Sequence, residues 1–182
     1  MNLPNKLTLL RVILVPFFIL FFYLEAVPGN YLISFLLFAA ASVTDALDGH
    51  IARKNNLVTT FGKFLDPLAD KVLVISALCC FVEKGLMSAV PLIIIVAREF
   101  MVSGLRLVTA SEGVVVAAGI WGKLKTAFTM VAIVAILIFC CAGVTEKFSL
   151  ISDILIWIST VLTVISGAVY LKGYWKYIDM DK

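Results

Sequence analysis

Six stretches of this chain are apolar for about the 20 residues a helix needs to cross a bilayer's hydrocarbon. They run about 7–24, 31–53, 63–82, 88–109, 121–142 and 149–171. Lipid offers the backbone no hydrogen-bond partner, so a spanning segment is either a helix or a strand of a closed barrel. Barrel strands are about ten residues long and alternate in polarity. These stretches are longer and continuously apolar. The expected fold is an all-α integral membrane protein with six transmembrane helices, a single domain over residues 1–182. Composition agrees, since only 15% of residues are charged where soluble domains carry about 25%. Residues 7–24 follow a basic start like a signal peptide, but YLEAVPG, with Leu24 and Glu25, is a poor cleavage site. The segment is expected to stay in the mature protein.

Basic residues set the expected orientation. Lys6, Arg11, Arg53, Lys54, Lys63, Arg106, Lys123, Lys125, Lys172, Lys176 and Lys182 fall on one side of a six-span path or just inside it. The opposite loops hold Lys84 and Lys147. The positive-inside bias places both termini in the cytoplasm, as expected of a multi-pass protein of the cytoplasmic (inner) membrane. Tyr170, Tyr174, Trp175 and Tyr177 read as an aromatic belt at that interface. A net charge of +3 does not suggest nucleic acid. The adjacent pairs Cys79-Cys80 and Cys140-Cys141 lack metal or redox spacing and read as small buried hydrophobes. His50 has no second histidine with which to build a soft metal site.

Four aspartates interrupt this apolar chain, in DALDGHIARKNNLVTTFGKFLDPLAD at 45–70. Asp45 and Asp48 share one helix face by i,i+3 spacing, and Asp66 and Asp70 share another by i,i+4. A short loop between the pairs returns them to similar depth. One aspartate at mid-membrane costs ~3 kcal/mol on insertion scales, and mutual repulsion adds to that. Two divalent cations would balance four carboxylates. All-oxygen donors favour Mg²⁺ or Mn²⁺, and paired metals suit phosphoryl-type displacement. The plainer alternative, structural ion pairs with Arg53, Lys63 and Lys71, leaves some of the four unexplained. Gly49 and Ala52, on the Asp45 face, leave room for a ligand or another helix.

The spacing D-x2-D-G-x2-A-R-x8-G-x3-D-x3-D is filled by Asp45, Asp48, Gly49, Ala52, Arg53, Gly62, Asp66 and Asp70. It resembles the defining motif of the CDP-alcohol phosphatidyltransferases. The resemblance implies a six-helix membrane enzyme, usually a homodimer, in which an alcohol displaces CMP from a CDP-linked lipid. It implies that Asp45, Asp48 and Asp66 hold the metals, and that Asp70 completes the site and serves as general base. It also implies that Gly49, Ala52, Arg53 and Gly62 line the nucleotide site. The N-terminal LPNKLTLLR is similar to the glycerol-phosphate branch of the family. Its Asn5, Thr8 and Arg11 lie on one helix side, and Asn5 and Thr8 are assigned to the nucleotide.

Arg98, Arg106, Lys123 and Lys125 are expected to gather on the side of the aspartates. A deep arginine is a functional-site candidate, although Arg98 could simply pair with Glu99 or a site aspartate. A basic group suits a phosphate dianion and not choline, which calls for an aromatic cage. The acceptor alcohol is therefore expected to carry a phosphate, with glycerol phosphate and inositol phosphate as leading cases. AREFMVSGLR and GKLKT resemble the glycerol-phosphate branch, which implies CDP-diacylglycerol and glycerol 3-phosphate as substrates. Resemblance runs from about residue 3 to 126, and beyond that only span and packing are expected. A divalent-cation transporter is the alternative of a different class; it would not need the basic group.

Overall fold

The computed structural model describes residues 3–54, 60–111, 113–114 and 119–175; the side chains of 3–4, 45–54, 60–64 and 66–67 lie outside the described residues. Six helices form the described chain: α1 Leu3–Tyr23, α2 Asn30–Lys54, α3 Thr60–Glu83, α4 Ala89–Ser111, α5 Ile120–Ala142 and α6 Ser149–Tyr174. Each overlaps one expected span. The ends extend past the apolar runs where polar residues continue the helix, as at Leu3 in α1 and Tyr174 in α6. Thr60 to Gly62, expected in a loop, already belong to α3. Among the described residues, three helical stretches, Asn5–Tyr23, Ile120–Ala142 and Ser149–Tyr174, are long and apolar enough to cross a membrane.

Cross-helix contacts give the chain direction. Tyr23 at the end of α1 donates a hydrogen bond to Glu83 Oε2 at the end of α3, at 2.7 Å. Asn30 at the start of α2 donates to the Phe22 carbonyl of α1. At the other end, Arg106 of α4 meets Tyr170 of α6, and the Gly119 N–H, just before α5, bonds to the same tyrosine. Successive helices therefore run up and down. The start of α1, the α2–α3 junction, the α4–α5 connection and the end of α6 share one end of the bundle. The opposite end is clasped by Glu25 and Lys84. The ammonium holds the Glu25 carboxyl below its usual range, and the carboxylate raises Lys84.

The apolar core joins α1, α2 and α3 through Phe18, Phe22, Phe38 and Phe81, whose rings meet at 5.9 Å. It continues through Ile95, Ile133, Ile136, Leu137 and Ile156. The outer surface is equally apolar: Ile93, Phe100, Leu107, Ile120 and Leu150 are all more than 60% exposed. Such a surface is far larger than the patches water tolerates on a monomer, and it suits lipid.

α6 reverses the order of a soluble helix. Ser152, Ser159, Thr160, Thr163 and Ser166 face inward, while Ile154, Trp157, Val161 and Val164 face out. The buried Thr160 and Thr163 hydroxyls donate to carbonyls one turn back, at 2.8 and 2.7 Å. Thr129 of α5 and Ser159 share a hydrogen bond across the interface, at 2.6 Å. Small residues let the backbones approach. A Cβ on Gly167 would stand 3.1 Å from Arg98 Cγ and 3.1 Å from Met101 Cε, so α6 crosses α4 at a glycine.

Two of the cysteines depart from expectation. Cys80 and Cys140 are buried in the core, but Cys79 and Cys141 are exposed on the apolar surface. Adjacent helical residues point about 100° apart, so a pair cannot share one inward face.

Candidate active site

The aspartate positions lie in the polar end of α2 and α3. Asp48 precedes the end of α2 (Lys54) by six residues, and Asp66 follows the start of α3 (Thr60) by six. Each is about 9 Å along its helix, so the two positions come to matched depth on neighbouring, packed helices. The side chains of Asp45, Asp48, Gly49, Ala52, Arg53, Gly62 and Asp66 lie outside the described residues, as do His50 and Lys63. Asp70 is half-buried on α3. On α1, Asn5, Thr8 and Arg11 are buried in a row. The same face continues as Val15, Phe18 and Phe22, so α1 changes from a polar to an apolar inner face on leaving this end.

Beside the aspartate positions lies a buried group of cations built around one carboxylate. Glu99 of α4 accepts from Arg98 Nη1 at 3.0 Å and from Lys125 of α5. Lys71 of α3 stands 3.9 Å from its other oxygen. Arg98 and Lys125 are almost fully enclosed, with side chains 9% exposed, against 29% for Lys71. Lys71 also bonds to the Ser103 hydroxyl. It lies within electrostatic reach of Asp70, Arg106 and Lys125, which brings the cations to the aspartate side of α3. Enclosed cations need anionic partners and hydrogen bonds, and here the two enclosed cations share one carboxylate with the part-exposed Lys71.

α6 completes the group. Ser166 accepts from Arg98 Nη2 at 2.6 Å. The Tyr170 ring lies 5.5 Å from the Arg98 guanidinium and 5.7 Å from that of Arg106. Its hydroxyl accepts from the Gly119 N–H at 3.0 Å and from Arg106 at 3.4 Å. Tyr170 is therefore buried, at 5% exposure, where an exposed belt residue was expected; Trp175 is half-exposed. Lys123 is exposed. It stands two residues from Lys125, about 200° around α5, and faces away from the group.

A family model described as CDP-alcohol phosphatidyltransferase matches residues 1–165. The chain belongs to the CDP-alcohol phosphatidyltransferase family. The match reaches well beyond residue 126, where the sequence resemblance stops, and takes in α5 and much of α6. Three similar relatives carry the name CDP-diacylglycerol–glycerol-3-phosphate 3-phosphatidyltransferase. That of Bacillus subtilis is 43% identical, with 96% of each chain covered. That of Rickettsia bellii is 42% identical, with 97% of each covered. That of Haemophilus influenzae is 39% identical, covering 94% of this chain and 92% of the relative.

As a CDP-alcohol phosphatidyltransferase, the chain has a donor set that fits divalent cations. Four carboxylate positions fall at the facing polar ends of two packed helices, all hard oxygen donors. Among the described residues no other group of three or more histidine, cysteine or acidic side chains could hold a metal. Of the expected acceptor residues, the structure brings together Arg98, Arg106 and Lys125 and leaves Lys123 apart. Sequence reasoning weighed Lys71 as an ion-pair partner of the aspartates, Glu99 as a partner of Arg98, which the structure bears out, and Tyr170 as a belt aromatic; it missed the place of Lys71 and Tyr170 in the cation group, Glu99 as its hub, and Ser166. Lys71 carried a signal, since it follows Asp70 directly.

Tyr170→Phe keeps the ring against both arginines but removes the hydroxyl that binds Gly119 and Arg106. Hydrogen bonds to charged groups are worth about 1.5–3 kcal/mol. The expected result is a rise of about tenfold in the KM for a phosphate-bearing acceptor with kcat little changed, read from steady-state kinetics.

Proposed function

We propose that this chain transfers the phosphatidyl group of CDP-diacylglycerol to the primary hydroxyl of sn-glycerol 3-phosphate, giving phosphatidylglycerophosphate and CMP. The observation that carries the reading is the pair of enclosed cations Arg98 and Lys125, joined by the part-exposed Lys71 and by Arg106, exposed at the Tyr170 ring, beside the four aspartate positions. The names of the near full-length relatives support it, and favour glycerol phosphate over inositol phosphate and a transferase over a cation transporter.

Asp45, Asp48 and Asp66, completed by Asp70, would hold two divalent cations, Mg²⁺ or Mn²⁺, which when bound would supply the positive charge that a diphosphate and a CMP leaving group call for. Asn5, Thr8, Gly49, Ala52, Arg53 and Gly62 line the nucleotide site. Arg98, Arg106 and Lys125 orient the acceptor phosphate; Lys123, which faces away from them, takes no part. Asp70 takes the proton from the acceptor hydroxyl. A new P–O bond forms to that oxygen as the bond from phosphorus to CMP breaks. The inverted α6 and the apolar outer surface support six transmembrane helices; the excess of lysine and arginine at one end supports cytoplasmic termini and a site that opens to the cytoplasm from the inner membrane. The working unit is a homodimer.

CMP release from CDP-diacylglycerol by the purified protein, with Mg²⁺ in detergent, tests the reading. Glycerol 3-phosphate should support release; inositol 1-phosphate, serine and no acceptor should not. Chelation should abolish release, and Mg²⁺ or Mn²⁺ should restore it. Release with inositol phosphate alone would sink the acceptor assignment.

A further inference from the structure

Glu99 holds a position that the proposed reaction leaves without a use. It is the one carboxylate, among the described contacts, that Arg98, Lys125 and Lys71 share. Arg98 has a second anchor in Ser166 and a third in the Tyr170 ring, and Lys71 has one in Ser103. The Lys125 ammonium has Glu99 as its described partner. The two lysines approach different oxygens of the carboxylate, which thus spans the gap between α3 and α5. A phosphate dianion would offer the same cations the same kind of oxygen, with more charge.

We propose that Glu99 is a positioning residue that acts as an internal stand-in for the acceptor's phosphate. It keeps Lys71 and Lys125 aligned and neutralised while the site is empty, and yields them when the phosphate enters. This deepens the reading above and rests on it for the identity of the acceptor. The carboxylate competes with a bound phosphate; it does not support it. Small inorganic anions must displace an existing ion pair and gain little. A glycerol phosphate recovers that cost through its hydroxyl contacts. Arg98 stays in place throughout, because Ser166 and Tyr170 hold it independently of Glu99.

Equilibrium binding of inorganic phosphate to the full-length protein in detergent decides the question without catalysis. In Glu99→Gln the carboxylate charge is gone and an oxygen acceptor remains. Phosphate binding is expected to tighten about tenfold, because an anion next to the phosphate is removed. In Glu99→Asp the charge stays but withdraws by one methylene and no longer spans both lysines; tightening of about threefold is expected on the same ground. Unchanged or weaker phosphate binding in either folded variant overturns the proposal, as does a failure of phosphate to bind any of the three proteins. If Glu99→Gln does not fold, Glu99→Asp carries the test. Kinetics add a second readout, with the glycerol 3-phosphate KM falling in Glu99→Gln while kcat falls too. A parent protein that binds phosphate but releases no CMP with glycerol 3-phosphate refutes the reaction and leaves the binding result to judge Glu99.

Discussion

Asp70→Asn is expected to lower glycerol 3-phosphate-dependent CMP release at least ~10³-fold, the upper part of the range for losing a general base. The amide is the same size, cannot accept the hydroxyl proton and is a poorer metal donor. Asp70 is half-buried on α3, outside the apolar core, so thermal unfolding in detergent should be little changed. Both measurements are needed. Lost activity with an unchanged melting temperature supports a chemical role. An Asp70→Asn protein with parental turnover would remove the base assignment.

Arg98 should show the other large effect, of a different kind. Its guanidinium bonds to Glu99 at 3.0 Å and Ser166 at 2.6 Å and lies 5.5 Å from the Tyr170 ring. Arg98→Met keeps much of the volume but removes the planar fork that joins α4 to α6. A charge-assisted hydrogen bond is worth about 1.5–3 kcal/mol, so a loss of about 100-fold in kcat/KM for glycerol 3-phosphate is expected, mostly in KM. The melting temperature should fall as well. Arg98→Lys should recover little, since one ammonium cannot hold both partners and cover the ring. Full recovery by lysine would show that charge alone matters at this position.

Local pattern carried the helices and the aspartates. Six apolar runs gave six helices, and the Asp45–Asp70 spacing placed two pairs at matched depth without any long-range information. The cation group was only partly legible. Arg98, Arg106 and Lys125 stood out as charges in apolar helices, but Lys123 and Lys125 looked equivalent until helical geometry separated them. Tyr170 looked like an interfacial aromatic because nothing local links it to Arg98 or Gly119, 72 and 51 residues away. The inner face of α6 was hidden for a related reason. Serine and threonine scarcely lower the hydropathy of a run rich in isoleucine and valine, so a polar stripe inside it reads as more membrane.

The self-bonded hydroxyls of α6 bear on how such a chain is assembled. Thr160 and Thr163 each satisfy their donor on their own helix, so these two hydroxyls of α6 are already occupied when it enters lipid, while Ser159 finds its partner on α5. α4 has no such independence. Arg98 and Glu99 find most of their partners on α3, α5 and α6, and a charged group without partners in lipid is costly. Biogenesis of this protein therefore has a natural order. Helices that are complete in themselves can arrive singly, while the charged heart of the bundle becomes stable only when its last wall, α6, is in place.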